Sequence, residues 1–225
     1  MTNAFRILML ITNPKPSQTA SDLLLAHNIP IHYNINAIGT ASSEMADILN
    51  LGSSEKRLLI SFLPKQTADD ILIKMYHKLH LGAVNGGIAF TLPLNAMTKH
   101  AFRIMESVEE KNEENFRKGE VIMTDTSYSM ITVMVEMGYS EEVMNAARAA
   151  GARGGTVIHS RAVENGEASA VWGISLQEEK EIVMILAPDD KKTAIMKSIG
   201  EACGINSDAK GLVLSLPIDH VIGIN

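Results

Sequence analysis

Two short stretches of this chain combine side chains and backbone suited to holding an anion. The first, Arg153-Gly154-Gly155-Thr156, joins a guanidinium, two glycines that let backbone N–H groups approach closely, and a hydroxyl at the start of a strand. The second, Ser207-Asp208-Ala209-Lys210-Gly211, puts a lysine in the turn before a later strand. The matching turn earlier in the chain, Ala83-Val84-Asn85-Gly86-Gly87, has no cation, so the later turn is the one favoured for an anionic ligand. Tight-turn chemistry explains the same glycines without any ligand, and both readings stay open.

Other candidate groups carry less. His77 and His80 stand three apart on a helical segment, a spacing that suits one metal, but no third ligand is recognisable and solvent-facing histidines are the simpler reading; no metal is expected. His159 and Arg161 fall on one face of a strand by alternation, as ligand groups or as an ordinary polar face. No GxSxG, HExxH, CxxC or GxxxxGK[ST] pattern occurs. An enzyme would rest only on clefts being usual ligand sites, so a non-enzymatic role is expected.

Composition narrows the classes further. Hydrophobic residues at 46% and charged residues at 20% describe a globular protein, not a disordered one. A net charge of −6 argues against nucleic acid, which needs a basic stripe. The single cysteine, Cys203, has no intrachain partner, and with no signal peptide read at the start the expected compartment is the cytoplasm. The apolar run Ile7 to Ile11 is too short to span a bilayer.

The candidate residues depend on elements that the hydrophobic pattern lays out in order. Arg6 to Thr12 reads as a strand, Ser17 to Ala26 as a helix after the Pro14 and Pro16 break, and Ile31 to Ile38 as a second strand. Ser43 to Leu49 suits a short helix within a long loop. Lys56 to Leu63 is a continuous apolar strand, Ala68 to Leu79 an amphipathic helix, and Gly87 to Leu92 a fourth strand ended by Pro93. The order is βαββαβ. In the second half, Ser140 is placed to cap a helix carrying Glu141 and Glu142 in its first turn, Gly151 ends it, and Thr156 to Ile158 begin a strand.

The second half repeats the first with one shift. Pro188 against Pro64 and Pro217 against Pro93 both give 124 (188 − 64, 217 − 93). The same shift maps Ile71, Leu72, Met75 and Leu79 onto Ile195, Met196, Ile199 and Cys203 without a gap. A unit of this size is a duplicated domain, not a solenoid module. The expected fold class is therefore α+β, two tandem ferredoxin-like βαββαβ sandwiches with helices on one face of each antiparallel sheet. The expected boundaries are residues 1–98 and 127–225, joined by a helical linker over 99–126. Phe102, Met105 and Val108 give that linker its apolar stripe, although a solvated charged segment of partial helicity fits as well.

The connections between the second and third strands differ. In the second half Asn165-Gly166 is the dipeptide of a type I′ turn, which suggests a projecting ribbon from Ser160 to Trp172. Trp172, the sole tryptophan, anchors the base of that ribbon or contacts a partner.

YSEEVMNAARAAGARGGTVIHSR, EKEIVMILAP and KGLVLSLPIDHVIGI together resemble the nitrogen regulatory PII signalling family, and the first half resembles a diverged copy. The resemblance covers nearly the whole chain outside the linker. It implies a homo-oligomeric regulator that binds an adenine nucleotide, often with 2-oxoglutarate, as its small-molecule effector. It also implies a target protein, an enzyme, transporter or transcription factor, reached through the loop with Arg161, Asn165, Gly166 and Trp172. By position, Gly154, Thr156, Asp208 and Lys210 match the family's nucleotide-holding residues, with Arg153, Gly155 and Gly211 beside them. The phosphate loop departs from the family pattern, with Ser207 and Ala209 in the places of glycines, and the basic residues that usually come after the fourth strand are missing. A divalent-ion-tolerance-like scaffold that binds no nucleotide is the alternative on the same fold.

Overall fold

The computed structural model describes residues 5–29, 31–40, 55–83, 86–112, 128–161 and 179–224. The chain divides into two compact units, the first made of Met1–Ile35, Lys56–Thr126 and Pro217–Asn225, the second of Asn36–Glu55 and Ser127–Leu216.

In the first unit β1 (Phe5–Thr12) lies antiparallel between β3 (Glu55–Pro64) and β4 (Ile88–Leu94), with Leu8 opposite Ser61 on one side and Thr91 on the other. Next to β3 comes β2 (His32–Gly39), within which the division between units falls. On the far side a short β9 (His220–Ile222) pairs with β4, matching Ala89 to Ile222 and Thr91 to His220. The order β2-β3-β1-β4 is that of a split βαβ sandwich. Helices α1 (Pro14–Ala26) and α2 (Lys65–Leu79) bury Leu23, Leu24, Ile71, Leu72 and Met75 against Leu8, Leu10, Leu59 and Leu63 of the sheet.

Local chemistry moves the helix starts. The proline cluster expected to precede α1 lies inside its first turn, where an N–H would have no intrahelical partner in any case. Pro93 likewise lies within β4, beyond the stretch that β9 covers, so its missing N–H costs no second ladder. The segment Lys99–Asn112 forms helix α3, whose Met105 and Val108 are buried and whose Phe102 ring meets Phe5 edge-on at 5.4 Å. Asn112 closes it, donating to the carbonyls of His27 and Val108.

In the second unit β5 (Tyr128–Glu136) pairs with β7 (Glu179–Pro188) along its whole length, β7 pairs with β6 (Thr156–Arg161), and β8 (Leu212–Pro217) lies outside β5. The end of β2 adds to β6, with Ile38 opposite Val157 and Gly39 opposite Thr156. Helices α4 (Ser140–Ala149) and α5 (Asp189–Cys203) cover one face, burying Val143, Met144, Ile195, Ile199 and Cys203 on Val133, Val157, Val183 and Ile185. The 124-residue shift carries Glu55–Pro64 onto Glu179–Pro188 and Lys65–Leu79 onto Asp189–Cys203, end for end. The expected helix at 43–49 and the ribbon tip at 162–172 lie outside the described residues. Among the described residues no helix is long and apolar enough to cross a membrane.

Candidate functional site

Helix α4 is set by its own sequence at one end and by a neighbouring strand at the other. Its apolar stripe fixes which side faces the sheet, and its C-terminus closes in a Schellman pattern: Gly151 adopts φ +97°, its N–H reaches the Arg148 carbonyl, and the Ala152 N–H reaches that of Ala147. The N-terminus departs from the expected serine cap. Tyr139 holds the cap position and Ser140 is already helical, so the free N–H groups need another acceptor. Glu181 of β7 supplies it, accepting from Ser140 N at 2.9 Å and Gly138 N at 3.1 Å through Oε2. A carboxylate only 5% exposed is thus held at the positive end of the helix.

Beside this helix a groove of about 430 Å³ opens on the second unit. Its floor is the strand surface of Ile38, Val157, His159 and Glu181; its wall is Ser140, Glu141, Met144 and Arg148 of α4, and Thr40 closes one end. His159 and Glu181 are directly opposite in the β6–β7 ladder and share the helix-covered face. Arg148 donates from Nη2 to the Thr40 carbonyl and from Nη1 to Asn145 Oδ1 at 3.3 Å, which steadies the guanidinium along the rim. The groove therefore offers a positioned cation beside a floor that joins the apolar Ile38 and Val157 to the exposed His159 imidazole, with the Glu181 carboxylate engaged by backbone.

The first of the two glycine-containing stretches singled out in the sequence lies next to this groove, which Val157 helps to line. Gly155 has no room for a side chain: a Cβ there would lie 2.8 Å from Met144 Sδ and 3.0 Å from the Met184 carbonyl oxygen. Its N–H donates to Thr40 Oγ1 at 2.8 Å, while the Thr40 N–H and hydroxyl donate back to its carbonyl at 3.0 and 2.9 Å. Thr156 is 5% exposed opposite Met184, Gly154 is half-buried and Arg153 is exposed.

The second stretch forms a self-closed turn. Ser207 N–H donates to Gly204 O at 2.9 Å, Lys210 N–H to Ser207 O at 3.1 Å, and Gly211 N–H to Cys203 O at 2.9 Å. Lys210 takes φ +49°, Ala209 is buried, and its carbonyl accepts from Glu136 N–H at 3.0 Å. A Cβ on Gly211 would fall 2.0 Å from the Cys203 carbonyl oxygen. Asp208 is exposed in this turn. Glu136 faces Lys180 of β7 whereas Thr156 faces Met184, so the two stretches are separated by four residues of strand, about 13 Å at ~3.3 Å per residue. They are not brought together within the unit.

Arg161 ends β6 with its backbone opposite Glu179, and Asn165, Gly166 and Trp172 lie outside the described residues. In the first unit His77 and His80 are both exposed, and His80 takes the left-handed cap of α2. The groove residues that the sequence alone did not single out are Thr40, Arg148 and Glu181. The one legible signal was Glu181, the last of four consecutive charged residues, at the head of the apolar IVMIL run.

No protein family and no curated protein matches the chain by sequence. Among solved structures it is similar to PII of Arabidopsis thaliana bound to citrate, at 19% identity over 41% of this chain and 76% of that one, with a TM-score of 0.32. It is also similar to a Bacillus cereus protein related to NIF3, at 14% identity and TM-score 0.32, over 58% of this chain and 44% of that one, so it spans less than half of that protein. A microcompartment protein from Desulfitobacterium hafniense aligns over 95% of this chain and 96% of that one, at 11% identity and TM-score 0.29.

Proposed function

We propose that this chain is a cytoplasmic, non-enzymatic, PII-like regulator that acts as a homo-oligomer, senses a small anionic metabolite or nucleotide, and modulates a target protein of nitrogen metabolism. The observation that carries the reading is the position of the groove: the His159 and Glu181 pair in its floor is two residues from Arg161 and Glu179, the two ends of the connection over residues 162–178. A ligand held by Arg148 and His159 bears on the strands from which that connection leaves, and this is how occupancy reaches the effector surface. Lys210, on its separate turn, is the alternative cation for a phosphate-bearing ligand.

Thermal unfolding with ATP, ADP, AMP, cyclic dinucleotides and 2-oxoglutarate with magnesium tests it. A ligand at about 100 times its Kd adds roughly 2.7 kcal/mol. The expected result is stabilisation by one of these, reduced in His159→Ala if the groove holds the ligand and in Lys210→Ala if the turn does, together with a changed rate of proteolysis inside 162–178. No stabilisation by any of them overturns the sensing role.

A further inference from the structure

Strand β8 leaves one edge of the second unit open. It is bonded to β5 on one side and is outermost on the other among the described residues. Val213 packs against the core, so alternation turns Leu212, Leu214 and Leu216 to the opposite face, where they are 50%, 42% and 44% exposed. Met134 of β5, flanked by the core residues Val133 and Val135, points the same way and is 37% exposed. Between Leu212 and Leu216 there is no charged residue and no proline, the two devices that most often keep an edge strand from pairing. The equivalent strand of the first unit does not share this exposure: the short apolar β9 covers β4 in antiparallel register.

We propose that β8 pairs antiparallel with β8 of a second copy, about a two-fold axis through Leu214. The pattern singles out this occupant. Leucines at 212, 214 and 216 are symmetric about Leu214, so the antiparallel pairing brings Leu212 against Leu216 and Leu214 against itself, with no charge facing a like charge. The open N–H and C=O groups of the strand are satisfied in the same step. Three half-exposed leucines and a methionine fall short of the ~1,200 Å² that stable complexes bury, so the pairing depends on concentration. The inference rests on the homo-oligomer in the proposed function but not on its ligand, and a failed ligand screen leaves it standing.

Sedimentation velocity of the full chain from low micromolar to near-millimolar concentration tests it. The expected result is a monomer–dimer equilibrium that shifts at least tenfold toward monomer in Leu214→Lys, with the circular dichroism spectrum unchanged. Leu214→Cys supplies a geometric check: under mild oxidant it links into a covalent dimer faster than Leu212→Cys, because only position 214 meets itself on the axis, and Cys203 is buried. A monomer at every concentration, a trimer, or a dimer indifferent to Leu214→Lys with equal cross-linking at 212 and 214 would each overturn the proposal.

Discussion

The fourth strands of the two units stand at the same place in the 124-residue register but in different surroundings. β4 is buried through Ala89, Phe90, Thr91 and Leu92, whereas β8 exposes five of its six residues. The difference lies in the neighbour that each strand meets in space. Residues 217–225 belong to the first unit, where His220 to Ile222 lie along β4 and Asp219 holds the buried Arg6 through an ion pair at 2.5 Å. Thus a strand's sequence does not decide whether it is an edge; its neighbours do, and the same duplicated element is core in one place and surface in the other.

The sharpest way to break this comparison is to truncate one side chain on each strand. Phe90→Ala, at a side chain with no exposure, should cost about 3–5 kcal/mol, while Leu214→Ala should stay within ~0.5 kcal/mol at low protein concentration. Urea unfolding of the two variants followed by far-UV circular dichroism measures both, and equal losses would mean that β8 is buried in the monomer. A smaller effect is expected from Asp219→Ala, which removes a carboxylate from a guanidinium on a residue only 4% exposed; about 2–3 kcal/mol should be lost from the first unit. If Asp219→Ala unfolds like the wild type, the ion pair with Arg6 of β1 does not secure the C-terminal segment to the first unit.

The smallest effect separates the units by pH. Burial lowers the Lys56 ammonium from 10.5, and its Nζ donates to the neutral Asn13 Oδ1 at 2.7 Å. Its counterpart Lys180 instead meets the Glu136 carboxylate at 2.6 Å. Burial, and then Glu142, raises the Cys203 thiol from 9.0. The signs are opposite. Between its lowered folded value and 10.5, Lys56 binds more proton in the unfolded chain, so its contribution to stability rises with pH. Above about 9.0 the unfolded chain loses the Cys203 proton first, so that contribution is full below 9 and declines as pH rises. Comparing wild type with Lys56→Gln and with Cys203→Ala in unfolding curves from about pH 7 to 10.5 should give gaps that move in opposite directions; parallel gaps would refute the assignment.

Much of the architecture was legible because it is local. The apolar stripe of α2, its copy in α5, and the long runs of β3 and β7 are read from neighbours within a few residues, and the 124-residue register preserved their ends. Helix starts were less legible. Ser140 looks like a cap in sequence, yet Glu181, 41 residues away, accepts the N–H bonds. The groove was less legible still, since Thr40 reaches Gly155 across 115 residues and no spacing rule links them.

By itself, then, the sequence determined the duplicated βαββαβ order, the helix faces and the acidic, single-cysteine character of the chain, because periodicity and composition act over short distances. Only the tertiary structure decided that Glu181 caps α4, that Thr40 closes on Gly155, that the lysine turn folds onto its own carbonyls, and that β9 covers β4 while β8 is outermost among the described residues. Apart from the edge of β8, each of those outcomes depends on a backbone hydrogen-bonding group finding whichever partner the folded chain brings within reach. That requirement is indifferent to sequence distance.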